Sequence, residues 1–172
     1  MLLYPKIYIE NVTKINLELL NKNNIKGLIL DVDNTLIDFD KKPVEGLENW
    51  CNNLKQNNIK LCILSNSNKK DKVKNLARIL DIPFIYFAKK PLKTGFNKAK
   101  KVLELENESI GVVGDQIMTD VLGANRCKMF AILVKPISQK DIWITKLKRP
   151  LENYIIDRYL KKNRIDEKIR EF

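Results

Sequence analysis

Two hydrophobic rhythms alternate along the chain. Short, nearly continuous apolar runs occur at 27–30, 60–64, 84–87, 109–113 and 129–134. Their length and β-branched content predict buried strands. Between them, apolar residues recur at helical spacing. Leu47, Trp50, Cys51 and Leu54 mark a helix over 44–57, and Val73, Leu76, Ala77 and Leu80 mark one over 69–80. Further helices are predicted over 96–105 and 119–126. Such alternation predicts an α/β fold: a five-stranded parallel sheet covered by helices on both faces, in three Rossmann-like layers. Residues 1–26 read as a lead-in, with Leu17, Leu19 and Leu20 on a short helix before the Asn-Lys-Asn-Asn turn. The core is expected to span 1–140. From 141 to 172 the pattern changes to a basic amphipathic helical segment, in which Pro150 is expected to open a second helix.

In parallel sheets of this kind, ligands gather beyond the carboxyl ends of the strands. The residues just past those ends are Asp31, Ser65, Lys89 with Lys90, and Asp115. The topology therefore brings them to one edge. Asp31 and Asp33 leave the first strand together, and two carboxylates in one cleft repel when both are ionised. A bland reading remains open for each residue alone. Asp33 could be a turn aspartate, Ser65 a helix cap, and any lysine a solvated surface charge.

Composition narrows the chemistry. The chain has 172 residues, 32 Lys and Arg, 21 Asp and Glu, and a net charge of +11. That excess favours anionic partners such as phosphates, nucleic acid or acidic membranes. There is no histidine. This excludes a Ser-His-Asp triad, phosphohistidine chemistry and His-ligated zinc. Cys51, Cys62 and Cys127 form no CxxC pair and read as buried free thiols of a reducing compartment. No P-loop is present. No apolar run reaches the ~20 residues that span a bilayer. The N-terminus lacks a signal-peptide pattern, so the expected location is cytoplasmic.

Asp31-Val32-Asp33-Asn34-Thr35-Leu36 after a buried strand resembles the first motif of the haloacid dehalogenase (HAD) phosphatases. Leu64-Ser65-Asn66-Ser67 resembles their second motif, Lys90-Pro91 the third, and Gly114-Asp115 with Asp120 the fourth. Together these cover about residues 27–134. The resemblance implies that Asp31 is the covalent nucleophile and Asp33 the general acid and base. It implies phosphate contacts from Asn34, Thr35, Ser65, Asn66 and Lys90, with Lys89 and Lys93 as alternatives to Lys90. It also implies a Mg²⁺ site made by Asp31, the main-chain carbonyl of Asp33, and Asp115, supported by Asp120. Hard oxygen ligands suit that ion.

Only 34 positions separate Asp31 from Ser65, and a predicted helix and strand occupy most of them. The fold is thus expected to be capless or to carry a minimal cap, with a site open to large substrates. The whole chain is similar to the YqeG-type branch of HAD subfamily IIIA, itself similar to mitochondrial phosphatidylglycerophosphate phosphatases. The resemblance implies dephosphorylation of an anionic phospholipid, phosphatidylglycerophosphate, at the inner membrane face. The basic 141–172 segment, with interfacial aromatics such as Trp143 and Tyr154, suits peripheral contact with an anionic membrane. Nucleic-acid ends and small soluble phosphates are the alternative substrates, with nucleic acid the weaker partner. A basic HAD-shaped binding protein with incidental catalysis is the alternative from another class. No obligate protein partner is inferred.

Overall fold

The computed structural model describes residues 2–138 and 143–163. The side chains of 143–149 and 163, including the Trp143 assigned above to a membrane-facing role, lie outside that description. So do residues 139–142 and 164–172 of the basic segment.

One parallel sheet organises the chain. Its strands are β1 (Ile7–Ile9), β2 (Gly27–Leu30), β3 (Lys60–Leu64), β4 (Phe84–Ile85), β5 (Ile110–Gly114) and β6 (Phe130–Val134). Their order is β1-β6-β5-β2-β3-β4, so β2 lies at the centre. The helices are α1 (Leu17–Lys22), α2 (Leu47–Gln56), α3 (Lys70–Leu80), α4 (Lys93–Leu103), α5 (Leu122–Arg126) and α6 (Trp143–Asn163). Between β2 and β3 lie only α2 and a short bridged turn joining Ile37 to Asp33 and Pro43, and between β3 and β4 only α3, so no sizeable cap is inserted there.

Three expectations need correction. The sheet has six strands, because Ile7-Tyr8-Ile9 pairs with Ile132-Leu133-Val134. The run is only three residues long and partly exposed, too little for a hydrophobic pattern to reveal. β4 stops at Ile85 because Phe87 takes a left-handed φ of 49°, which no strand accommodates. Pro150 sits inside α6 rather than opening a second helix. Proline removes a donor and crowds the preceding turn. Contacts with the core directly after it hold the helix in place.

Alternation within the strands builds two apolar layers. Leu28, Leu30 and Ile63 point to one face with α2 and α3; Ile29, Cys62 and Leu64 point to the other with Phe96 of α4. This is the side-chain period of two in a sheet buried on both sides. All three cysteines are buried and free, and burial pushes the Cys62 thiol up to about 12.

The last helix is anchored along its described part. Ile155, Tyr159 and Leu160 are buried, and the Tyr159 hydroxyl donates to the Lys6 carbonyl at 3.2 Å. Glu152 reaches the opposite end of the sheet and accepts from the main-chain N–H of Met118 at 3.2 Å. Ile155→Ala is expected to lower stability by about 2–4 kcal/mol through lost burial and a residual cavity. Urea unfolding checks this, and an unchanged midpoint contradicts the docking of α6.

Candidate active site

The central strand sets the site. β2 pairs with β3 and β5 in a register that matches Leu30 with Ile63 and with Val113. Asp31, Ser65 and Asp115 therefore leave the sheet close together. The Asp31 main-chain N–H still donates to the Val113 carbonyl at 2.9 Å, which fixes where the side chain starts.

Lys90 is the hub. Its Nζ donates to Asp31 Oδ1 and to Asp120 Oδ1, each at 2.6 Å. All three residues are buried. Asn66 clamps the lysine's main chain, because its Oδ1 accepts from the Lys90 N–H at 2.6 Å and its Nδ2 donates to the Lys90 carbonyl at 3.1 Å. The Lys90–Pro91 peptide is cis. Neither Lys89 nor Lys93, both exposed, shares this position.

One carboxylate oxygen from each of Asp31, Asp115 and Asp120 lies within 4.8 Å of the others. Lys90 bridges two of these three buried carboxylates, Asp31 and Asp120. Burial pushes Asp31 up to about 7; Lys90 opposes the rise, and the nearby Asp120 and Asp33 carboxylates add to it. Burial alone would lower Lys90, but Asp120 and Asp31 outweigh it and hold the ammonium above the ordinary lysine value. A divalent cation with a taste for hard oxygens fits this donor set.

Asp120 reaches the cluster through local backbone geometry. Gln116 precedes a π-helical turn, Ile117–Val121, in which the N–H groups of both Asp120 and Val121 donate to the Gln116 carbonyl. Such turns are frequent at functional sites. Asp120 Oδ2 also accepts from the Gln116 N–H at 3.3 Å. Gly114 is what admits the side chain, since a Cβ there would overlap the Asp120 carboxyl group. Glu152 holds the same turn from outside, through Met118.

The remaining expected residues divide. Thr35 is buried, with its hydroxyl 3.5 Å from Asp31 Oδ2. Ser65 is buried, and its Oγ accepts from the Ser67 N–H at 3.1 Å. Asn34 takes a left-handed φ of 60°, and its carbonyl accepts from Ile137. Its own Oδ1 is buried without a hydrogen bond among the described residues. The Asp33 carboxylate stands apart from the metal-competent group. It is half-exposed and pairs with Lys72 of α3. Lys72, Glu152 and the close approach over Gly114 carried no legible sequence signal. A lysine in a lysine-rich helix, a glutamate in a basic tail and a glycine at a strand end are all unremarkable in one dimension.

The family described as mitochondrial PGP phosphatase matches residues 1–138. The chain belongs to this family. It is 40% identical over 162 residues, 94% of each chain, to the probable phosphatase YqeG of Bacillus subtilis strain 168. The fold is similar to that of an HAD phosphatase from Thermococcus onnurineus, with a TM-score of 0.50 and 21% identity, over 64% of this chain and 58% of that one. It is also similar to an uncharacterized protein from Listeria monocytogenes serotype 4b, with a TM-score of 0.54 and 16% identity, over 78% of this chain and 99% of that one. This member of the PGP phosphatase family is thus an HAD-type phosphatase with a Rossmann-like parallel sheet.

Gly114→Ala is expected to keep the fold but displace Asp120, lowering phosphatase turnover about 10–100-fold, the usual range for losing a supporting contact. Steady-state assay beside circular dichroism checks this. Wild-type turnover in a folded variant contradicts the close-approach argument.

Proposed function

We propose that the chain is a Mg²⁺-dependent phosphomonoesterase that converts phosphatidylglycerophosphate to phosphatidylglycerol through an aspartyl-phosphate on Asp31. The observation that carries the chemistry is the buried Asp31–Lys90–Asp120 arrangement beside Asp115, with one oxygen of each aspartate within 4.8 Å of the others. The lipid substrate is supported by the family match over 1–138 and by connections from β2 to β4 too short to carry a sizeable cap.

Asp31, Asp115 and Asp120 would hold the ion, with the Asp33 main-chain carbonyl as the fourth protein oxygen suggested by the motif. When bound, Mg²⁺ supplies positive charge next to the transferring phosphoryl group. An Asp31 carboxylate oxygen attacks phosphorus in line, forming an O–P bond as the ester P–O bond breaks. Lys90 keeps Asp31 oriented and neutralises charge on the transferring group. Asp33, half-exposed at the mouth, gives its proton to the departing glycerol oxygen. It then takes a proton from the water that cleaves the aspartyl-phosphate and regenerates Asp31. The Ser65 hydroxyl, the main-chain N–H of Asn66, and Asn34 and Thr35 are the expected phosphate contacts. Asp33 must leave Lys72 to do this work, so the pair opens during turnover.

Two outcomes check the mechanism. Asp31→Asn is expected to abolish Mg²⁺-dependent turnover, with at least a ~10⁴-fold loss of kcat and an intact fold, as for removal of other covalent nucleophiles. Near-normal turnover contradicts it. Chelation with EDTA is expected to silence the wild-type enzyme and added Mg²⁺ to restore it, whereas full activity in EDTA contradicts the metal. For the substrate, phosphatidylglycerophosphate in mixed micelles is expected to exceed a 3′-phosphorylated oligonucleotide and small sugar phosphates in kcat/KM by at least about tenfold, equivalent to about 1.4 kcal/mol of transition-state discrimination. Preference for either of the others contradicts the lipid reading.

A further inference from the structure

The loops around the strand ends are unusually apolar on the outside. Ten large hydrophobic side chains are exposed among the described residues, and five of them follow carboxyl strand ends: Phe39, Tyr86, Phe87, Leu92 and Ile137. Three of the five, Tyr86, Phe87 and Leu92, lie in the single loop between β4 and α4 that also carries Lys90. Phe87 is 53% exposed and Leu92 49% exposed.

The backbone holds this loop in place. Phe87 and Lys89 both adopt left-handed φ values, 49° and 55°. For a bulky residue such a value is an outlier that surrounding structure must enforce. The enforcing bonds come from the phosphate-binding segment itself. The Phe87 N–H donates to the Ser67 carbonyl and the Ala88 N–H to the Ser65 carbonyl, each at 2.9 Å. The outward aromatic and the inward Ser65 are therefore parts of one rigid unit.

The surrounding charge is positive. Segments 65–72 and 86–93 contain Lys69, Lys70, Lys72, Lys89, Lys90 and Lys93 against Asp71 alone. Lys90 is buried and Lys72 is taken by Asp33, but Lys69, Lys70, Lys89 and Lys93 are exposed. Two of them lie over the exposed rings: Lys70 Nζ is 5.7 Å from the Tyr86 centroid and Lys89 Nζ 5.0 Å from that of Phe87. The neighbouring loop with Phe39 is different, because Asp38, Asp40 and Glu45 there exceed Lys41 and Lys42. The patch therefore centres on the β3 and β4 loops and does not surround the whole mouth.

We propose that the β4–α4 loop, with the lysines at the start of α3, is the surface by which the enzyme sits on an anionic bilayer. Aromatic and aliphatic tips insert at headgroup level, and lysines pair with anionic lipid. Apolar side chains interleaved with exposed ammonium groups fit this occupant better than an acidic protein, which needs no inserted aromatics. The geometry puts Ser65 and Lys90 directly behind the docking loop, so a lipid phosphate meets the site without leaving the membrane. The orientation rests on the phospholipid reading of the site; the docking itself does not. The described part of α6 is anchored elsewhere, through Ile155, Tyr159 and Leu160.

The test uses the full chain and vesicles of phosphatidylcholine with or without phosphatidylglycerol. Wild type is expected to co-sediment only with the anionic vesicles, in a salt-dependent way. Phe87→Ser/Leu92→Ser and Lys69→Gln/Lys70→Gln are each expected to weaken that binding, the lysine pair about thirtyfold. Both are expected to keep wild-type turnover of p-nitrophenyl phosphate while losing turnover of vesicle-borne phosphatidylglycerophosphate. The proposal is overturned if wild type ignores anionic vesicles, or if these variants bind as wild type does. It is equally overturned if only Leu151→Ser/Tyr154→Ser, on the exposed face of α6, loses binding. Loop-dependent vesicle binding without turnover of phosphatidylglycerophosphate supports the docking surface and removes the lipid substrate instead.

Discussion

Three carboxylates buried around one lysine set the terms for the rest of the molecule. Holding Asp31, Asp115 and Asp120 together as buried carboxylates carries a large desolvation cost. The fold offsets part of the cost by making Lys90 a bidentate partner, 2.6 Å from each of two aspartates. The cluster also gathers three hard-oxygen donors within 4.8 Å of one another. On the proposed reading, Asp31, Asp115 and Asp120 would hold Mg²⁺, which would supply positive charge for the substrate phosphate. Burial raises the Asp31 carboxyl, Asp120 adds to the rise and Lys90 opposes it, so the ionisation of Asp31 is tied to the charges packed around it.

Much of the architecture serves to hold that cluster. The parallel register delivers Asp31 and Asp115 from adjacent strands, and Ser65 from the strand on the other side. Gly114 gives up its side chain so that Asp120 can lie against the strand end, and a π-helical turn brings Asp120 into reach. Asn66 uses both ends of its amide on the Lys90 backbone. α6 contributes from a distance, through Glu152 on the same turn. The last helix is therefore tied to the chemistry as well as to the core, and removing it wholesale would disturb both.

The sequence displayed the parts of this design that depend on periodicity and on strand ends. Strands β2 to β6, the helices between them, and Asp31, Ser65, Lys90 and Asp115 were legible because burial on both faces forces apolar runs, and chemistry follows where they stop. What was hidden depends on three dimensions. β1 is a three-residue strand whose pairing energy comes from β6, so its own composition says little. The end of β4 at Ile85 follows from the left-handed turn at Phe87. The Asp33–Lys72 pair joins residues 39 positions apart. The inner placement of Asp120 depends on a missing Cβ at Gly114.

The most direct test of the charge argument is thermal unfolding of the full chain with and without Mg²⁺. A site that binds the ion only when folded gains about 2.7 kcal/mol at a hundredfold excess over Kd. For a chain of this size that is an upward Tm shift of about 5–10 °C, reversed by EDTA and absent in Asp115→Asn. A Tm indifferent to Mg²⁺, or an Asp115→Asn variant that responds as wild type does, would contradict the account.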